Sequence, residues 1–393
     1  MKRVKVTLPS QVRAYEIKIG LGLLQKVGRE ARRSLRGKAG RAVIISNPRV
    51  FALSGQTVAD SLRAAGFAVS HWLMGEGERF KSLRTLEKAL AVLGQAGLER
   101  HDVVVALGGG VVGDLAGFAA AVYLRGIPFI QAPTTLLAQI DSSVGGKTGI
   151  NLAAGKNLVG AFHQPSAVII DTETLATLPA RELTAGWCEA VKMGAVGSRR
   201  LFDDTTEFLA AGQKQAGPGI AGGPPARAHH QAPLRWRQLE SIIEAQCAFK
   251  AAIVAGDERE DLDRKDHRSR RILNFGHTVG HALEAATGYR RFRHGEAVGQ
   301  GMLVAGEISK TLGLLAASEL ESLREAIRLC GPVPSAADID ERAIMEITNR
   351  DKKSMAGRVQ WILLERIGRA RIVDGQEIGP RLLRASLRAA FGS

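Results

Sequence analysis

Val103-Val-Val-Ala-Leu107 is an unbroken apolar run that passes directly into Gly108-Gly-Gly-Val-Val-Gly113 and then Asp114. Consecutive apolar residues ending in glycines describe a strand buried on both faces that turns at once into a helix. Working outward, Arg41-Ala-Val-Ile-Ile-Ser46 is a second such run and stops at the turn signal Asn47-Pro48. Phe129–Ala132 and Ala167–Ile170 are two more, with amphipathic stretches such as Leu83–Leu93 between them. Buried strands alternating with helices predict a parallel α/β sheet. At the start of the chain, Val4, Val6 and Leu8 alternate like a further strand.

After Leu178-Pro179 the period changes. Leu239–Val254, Thr278–Ala286 and Ala297–Leu312 follow helical spacing. The expected division is an α/β domain over residues 1–179 and a mostly α-helical domain over 180–393. Gly212–Pro233 (GQKQAGPGIAGGPPARAHHQAP) is rich in Gly, Pro and Ala and reads as a flexible insertion that holds no helix. Asp261–Ser269 is densely charged and reads as a solvated loop.

Composition narrows the function. The 393 residues carry 54 Lys and Arg against 39 Asp and Glu, a net charge of +15. That excess suits anionic partners. The basic residues are spread along the whole chain and only 5% of residues are aromatic, which argues against a nucleic-acid surface. No window reaches 18 uninterrupted apolar residues, so no membrane partner is expected. The opening MKRVKVTLPSQ lacks the apolar run of a signal peptide. Cys188, Cys247 and Cys330 stand far apart, which fits a reducing compartment. The expected location is the cytoplasm.

Gly108–Gly113 fits the GxGxxG pattern, whose glycines let backbone approach a pyrophosphate at a helix N-terminus. The acidic residue expected about 20 positions on is missing, since no Asp or Glu occurs between Asp114 and Asp141. The loop therefore reads as a phosphate loop outside the standard dinucleotide fold. Gly145-Gly146-Lys147-Thr148 resembles the end of a P-loop, but the first glycine of that pattern would fall on Asp141. Lys147 and Lys156 both sit in glycine turns and suit an anionic ligand. His277 and His281 stand at i and i+4 and would share one helix face, as zinc pairs often do. His294-Gly295-Glu296 follows within reach, and Glu189 and Lys192 open the helical half, so three histidines and a glutamate are available for a metal.

Taken together, GGGVVGDLAGFAAAVYLRG, QAPTTLLAQIDSSVGGKTGINLAAGKN, GWCEAVK, ILNFGHTVGHALE, HGEAVGQGM and DKK closely resemble the 3-dehydroquinate synthases, sugar-phosphate cyclases of the shikimate pathway. The resemblance implies an N-terminal NAD-binding domain, a C-terminal metal-binding domain and an active site between them. It implies conversion of 3-deoxy-D-arabino-heptulosonate 7-phosphate to 3-dehydroquinate and phosphate, by transient oxidation, phosphate elimination, re-reduction, ring opening and aldol closure. By motif match the metal, zinc with cobalt as the alternative, falls to Glu189, His277 and His294. His281 is left for the substrate phosphate, with Lys147, Asn157, Lys352 and Lys353. Arg125 is expected to reach the phosphate of a neighbouring subunit, which implies a homodimer. Lys250, Glu260, Arg270 and Asn274 fall in the region that meets the rest of the substrate, and Asp141 and Lys192 are expected to position the reacting hydroxyls. For NAD the match points to Asn47, Glu78, Lys81, Gly109, Gly110, Val111, Gly113, Asp114, Thr134, Thr135 and Lys156.

The chain departs from that pattern by a longer Gly212–Pro233 segment, extra residues between Glu260 and Arg270, and one extra residue before His294. Two other readings keep the same parts: a cyclase for a different heptulose phosphate, and a metal-dependent polyol or glycerol phosphate dehydrogenase.

Overall fold

The computed structural model describes residues 14–216, 232–354 and 360–392. The Val4–Leu8 strand expectation and the side chains of Lys352 and Lys353 lie outside what is described. The first half runs β1 (Glu16–Gly20), α1 (Val27–Ser34), β2 (Arg41–Ser46) and α2 (Pro48–Val50). A π-helical turn at Phe51–Gly55 leads into α3 (Gln56–Ala64), followed by β3 (Ala68–Leu73), α4 (Leu83–Gln95), β4 (Val103–Gly108) and α5 (Gly110–Val122). Then come β5 (Phe129–Pro133), β6 (Lys147–Leu152), β7 (Gly155–Phe162) and β8 (Ala167–Asp171).

Six of these strands form one sheet in the order β1-β8-β5-β4-β2-β3, with every pairing parallel. The apolar runs are continuous because both faces of the sheet are covered. Val43, Ile45, Val104 and Ala106 pack with residues of α4 and α5. Ala42, Ile44, Val103 and Val105 alternate with them and pack with residues of α1 and α3. The four central strands are those the sequence marked. Among the described residues the edge strands are β1 and β3, which carry no such run; β3 reads Ala-Val-Ser-His-Trp-Leu and none of its residues is buried.

Lys147 and Lys156 also depart from expectation. Both lie in strands, since β6 and β7 pair antiparallel as a hairpin. Gly149 stands opposite Gly160 in that pairing, so the period-2 apolar signal is weak where it would be looked for.

The strand order reverses between β2 and β4, the place where open α/β sheets leave a crevice beyond their carboxyl ends. Asn47 follows β2 and Gly109 follows β4, one on each side of it.

The second half contains α6 (Ala180–Gly197), α7 (Arg199–Ala216), α8 (Ala232–Gly256), α9 (His277–Ala286), α10 (His294–Thr311), α11 (Ala317–Leu329) and α12 (Glu341–Ser354). An antiparallel pair, β9 (Gln360–Arg366) and β10 (Arg369–Asp374), and α13 (Pro380–Phe391) close the chain. Its core joins Trp187, Phe275, Val298 and Trp361 to Val168 and Ile170 of β8, so apolar packing is continuous from the sheet into the helices. Among the described residues, no helix is long and apolar enough to cross a membrane.

The expectation that Gly212–Pro233 holds no helix is corrected at both ends. Helix α7 continues to Ala216 and α8 begins at Ala232. Gln-Lys-Gln-Ala after Gly212 are good helix formers, and Gln213 Nε2 donates to Leu329 O at 3.3 Å, which anchors the turn. Residues 217–231 of that segment lie outside the described part.

Candidate active-site cleft

A cleft of about 1360 Å³ lies between the carboxyl ends of the sheet strands and the helical half. Asn47, Glu78, Lys81, Gly109, Gly110, Val111, Asp114, Thr134 and Thr135 line it from the first half. Helix α5 starts at Gly110, so the unpaired amides of its first turn open where an anion would sit. Gly113 is one turn further in, where a Cβ would lie 2.8 Å from Gln131 Oε1 of β5. Lys81 is 4% exposed and donates to both Asp114 and Asn157. Burial disfavours its charge, but the carboxylates of Asp114 and Glu78 outweigh that and raise its pKa. Glu78 accepts from Asn151 Nδ2 at 2.7 Å, which holds a carboxylate at the cleft wall.

Across the cleft stand three histidines whose ring nitrogens lie within 4.8 Å of one another: His277, His281 and His294. His277 is the first residue of α9 and follows Gly276 at φ 78°, in the left-handed region. A Cβ at Gly276 would lie 2.7 Å from Val298 O, so only glycine lets α9 begin this close to α10. His294 is the first residue of α10. Its start is fixed by Glu296, which accepts from Arg293 N at 2.7 Å and is itself gripped by Arg181 at 2.6 and 2.7 Å.

Glu189 on α6 is wholly buried, and its carboxylate lies 3.7 Å from His294 Nε2 and 2.5 Å from Lys192 Nζ. Neither Glu189 oxygen has a partner in hydrogen-bonding geometry. That carboxylate, ion-paired with Lys192, lies beside the three-histidine cluster, and carboxylate and imidazole donors together fit a divalent ion such as zinc or cobalt. Burial lowers the pKa of His277 well below 6.5, and Lys192 adds to the effect, so its ring is neutral and can offer a lone pair. His281 opens into the cleft, yet desolvation by the surrounding walls and the neighbouring His294 bring it down to about 4. Burial also works against charge on His294. There the bond to Glu284 and the field of Glu189 prevail and raise its pKa.

Between the two walls lies a set of paired charges. Lys250, 6% exposed, donates to Asp141 O at 2.7 Å and to the Asp141 carboxylate. Burial would raise the Asp141 pKa, but Lys250 and then Lys192 hold it well below the usual range, so Asp141 stays a carboxylate. Lys147 is half exposed and pairs with Glu260, which also accepts from Asn274 Nδ2 at 3.0 Å. Arg270 is 2% exposed and spends two donors on Glu258 O at 2.6 Å and Gly145 O at 2.9 Å. The extra residues between Glu260 and Arg270 do not separate these two side chains. The Asp257 carboxylate accepts from Asp261 N at 2.8 Å and Arg270 N at 2.7 Å, which folds the loop back on itself.

The cleft thus gathers Asp141, Lys147, Lys156, Asn157, Lys192, Lys250, Glu260, Arg270, Asn274, His277, His281 and His294, drawn from both halves of the chain. Asn157 also reaches the nucleotide side, where its Oδ1 accepts from Lys81. Arg125 does not line this cleft; it is exposed, at φ 68°, in the turn after α5. Glu284 was not marked as a site residue. The available signal was its position three residues after His281 and seven after His277, on the same helix stripe.

Family profiles described as 3-dehydroquinate synthase N-terminal and 3-dehydroquinate synthase C-terminal match residues 52–185 and 186–354. The 3-dehydroquinate synthase of Gloeobacter violaceus is 42% identical over 395 residues, covering 100% of both chains. That of Symbiobacterium thermophilum is 42% identical, covering 95% of this chain and 97% of its own. Among solved structures, 2-epi-5-epi-valiolone synthase from Streptomyces hygroscopicus, with NAD+ and Zn2+ bound, aligns at TM-score 0.81. It is 26% identical and covers 98% of this chain and 99% of its own. A 2-deoxy-scyllo-inosose synthase with carbaglucose-6-phosphate, NAD+ and Co2+ aligns at TM-score 0.76, with 25% identity over 95% of this chain and 96% of its own. Glycerol dehydrogenase from Schizosaccharomyces pombe, at 16% identity and TM-score 0.63, shares the fold over 98% of this chain and 91% of its own.

Proposed function

The chain belongs to the 3-dehydroquinate synthase family, and from that premise we propose that its cleft converts 3-deoxy-D-arabino-heptulosonate 7-phosphate to 3-dehydroquinate and phosphate. One arrangement supports this most: the Gly109–Gly110 loop, the His277–His281–His294 cluster and the Lys147, Lys250 and Arg270 cations share a single cleft. An enzyme that must oxidise one carbon and expel phosphate from another needs these three parts facing the same molecule.

Glu189, His277 and His294 would hold the divalent metal, and the loop at Gly109–Asp114, with Asn47, Glu78, Lys81, Thr134, Thr135 and Lys156, would hold NAD. When bound, NAD accepts and returns a hydride, and the metal supplies Lewis acidity to the hydroxyl being oxidised. The protein's own groups do the remainder. Asp141, kept ionised by Lys250 and Lys192, accepts hydrogen bonds from substrate hydroxyls and so fixes the ring's orientation. Lys192, 1% exposed, brings a charge that burial alone would suppress and Glu189 restores. Lys147 can exchange Glu260 for the phosphate, since it is the exposed member of that pair. The neutral His281 can donate one ring hydrogen to that phosphate and offer its other nitrogen to a proton. Asn157, Lys352 and Lys353 complete the expected phosphate contacts. Lys250, Arg270 and Asn274 meet the carboxylate end. The enzyme works as a cytoplasmic homodimer in which Arg125, exposed and outside the lining of its own cleft, serves the neighbouring subunit.

Phosphate release from purified protein tests the reading. The heptulosonate phosphate should be turned over only with NAD and metal present, with no net NADH. Sedoheptulose 7-phosphate or glucose 6-phosphate turned over in its place would mark a different cyclase. Steady NADH accumulation from glycerol phosphate would mark a dehydrogenase.

A further inference from the structure

Glu284 is a buried carboxylate with no part in the roles given so far. It is 3% exposed and sits on α9 one turn beyond His281. Its two oxygens face two different parts of the site. Oε1 accepts from Lys156 Nζ at 2.9 Å, and Oε2 lies 3.3 Å from His294 Nδ1. Lys156 comes from β7 in the sheet half of the chain, and its ammonium also lies 4.5 Å over the Tyr289 ring. The other nitrogen of His294, Nε2, faces Glu189 at 3.7 Å.

The chemistry of these contacts is directional. A carboxylate paired with an ammonium only accepts hydrogen bonds, so the hydrogen between Glu284 and His294 belongs to Nδ1. The neutral ring that a metal selects then carries its lone pair on Nε2, on the side where Glu189 lies. A metal-ligating histidine whose second nitrogen donates to a carboxylate is held in one tautomer and one ring orientation, and becomes a stronger ligand.

We propose that Glu284 is a positioning residue: it fixes His294 as an Nε2 metal ligand and ties that ligand to Lys156 in the cofactor half of the cleft. This rests on the assignment of His294 to the metal. The bland alternative is an ion pair that merely fastens β7 to α9. That alternative explains the Lys156 contact but gives no reason for the second oxygen to meet His294 Nδ1.

The full-length protein, stripped with a chelator, would be titrated with Zn2+ in competition with a chromophoric chelator, and with Co2+ while its visible absorption bands are followed. Glu284→Ala should weaken Zn2+ binding by roughly 10- to 100-fold and alter the Co2+ bands. Glu284→Gln keeps a carbonyl that can accept from Nδ1 and should lose less, though at least roughly threefold. A lowered melting temperature in the metal-free Glu284→Ala protein, with unchanged Zn2+ affinity and Co2+ bands, would overturn the proposal in favour of a fastening role. If Glu284→Ala does not fold, Glu284→Gln decides, and wild-type metal affinity in it overturns the proposal. His294→Ala separates the two assignments. Metal binding unchanged in His294→Ala removes the ligand beneath the proposal, whereas loss in His294→Ala with none in either Glu284 variant removes Glu284 alone.

Discussion

His277 and His281 stand one turn apart on α9, and their surroundings differ. His277 lies nearer Lys192 and is driven far below its ordinary pKa by burial, while His281 opens into the cleft. If the metal is held by Glu189, His277 and His294, His277→Ala should lose both bound metal and turnover. His281→Ala should keep metal, as measured by elemental analysis after dialysis, and lose at least roughly a hundredfold in turnover, the order of one missing electrostatic contact. Equal loss of metal from both variants would instead mean that the three histidines form the ligand set. Helical spacing made the His277–His281 pair visible in the sequence, because i and i+4 share a face. The place of Glu284 was not visible, because its meaning comes from Lys156, 128 positions away. Pairing of Lys147 with Glu260, 113 positions apart, was hidden for the same reason.

At the level of elements, β1 and α1 are joined by Lys18 and Glu30, a residue that is 7% exposed. The bond to Lys18 outweighs the cost of burial and holds the Glu30 pKa below its usual 4.5. A carboxyl whose folded pKa is depressed contributes stability above its unfolded pKa and loses it as pH falls through the folded value. Glu30→Gln should therefore cost about 1 kcal/mol at pH 7, allowing for the partial exposure of Lys18. That difference should shrink steadily below pH 4.5, in urea denaturation curves taken at both ends of the range. Elements were legible where one physical signal dominated. The central strands announced themselves because both faces are buried, while β3 did not, because a solvated edge strand carries polar residues with no clear alternation. The glycines that hid the β6–β7 hairpin are the same ones that let its strands approach: a Cβ at Gly160 would lie 2.0 Å from Thr148 O.

For the whole molecule, the cleft takes its walls from both halves, so a ligand filling it joins them. NAD+ at 100 times its dissociation constant should add about 2.7 kcal/mol to stability, as mass action requires of a ligand bound only by the folded state. Calorimetric melting with and without NAD+ measures this. If the two halves melt independently, only the first transition should move. A single transition that moves as one would mean that the apolar core running from Val168 and Ile170 into the helices couples them.

The sheet order carries a consequence for synthesis on the ribosome. Among the described residues, strand β1 hydrogen-bonds to β8 alone, with Glu16 opposite Ala167. Strand β1 must wait for β8, roughly 8–30 s at about 5–20 residues per second. Once β5 has emerged, β2, β4 and β5 can lie side by side, with an open edge on β5 until β8 follows, roughly 2–7 s later at the same rate. The nascent chain therefore exposes a flat apolar margin for seconds before its own later residues seal it. That is the span in which a holdase chaperone, or a second nascent chain, competes for the same row of amides.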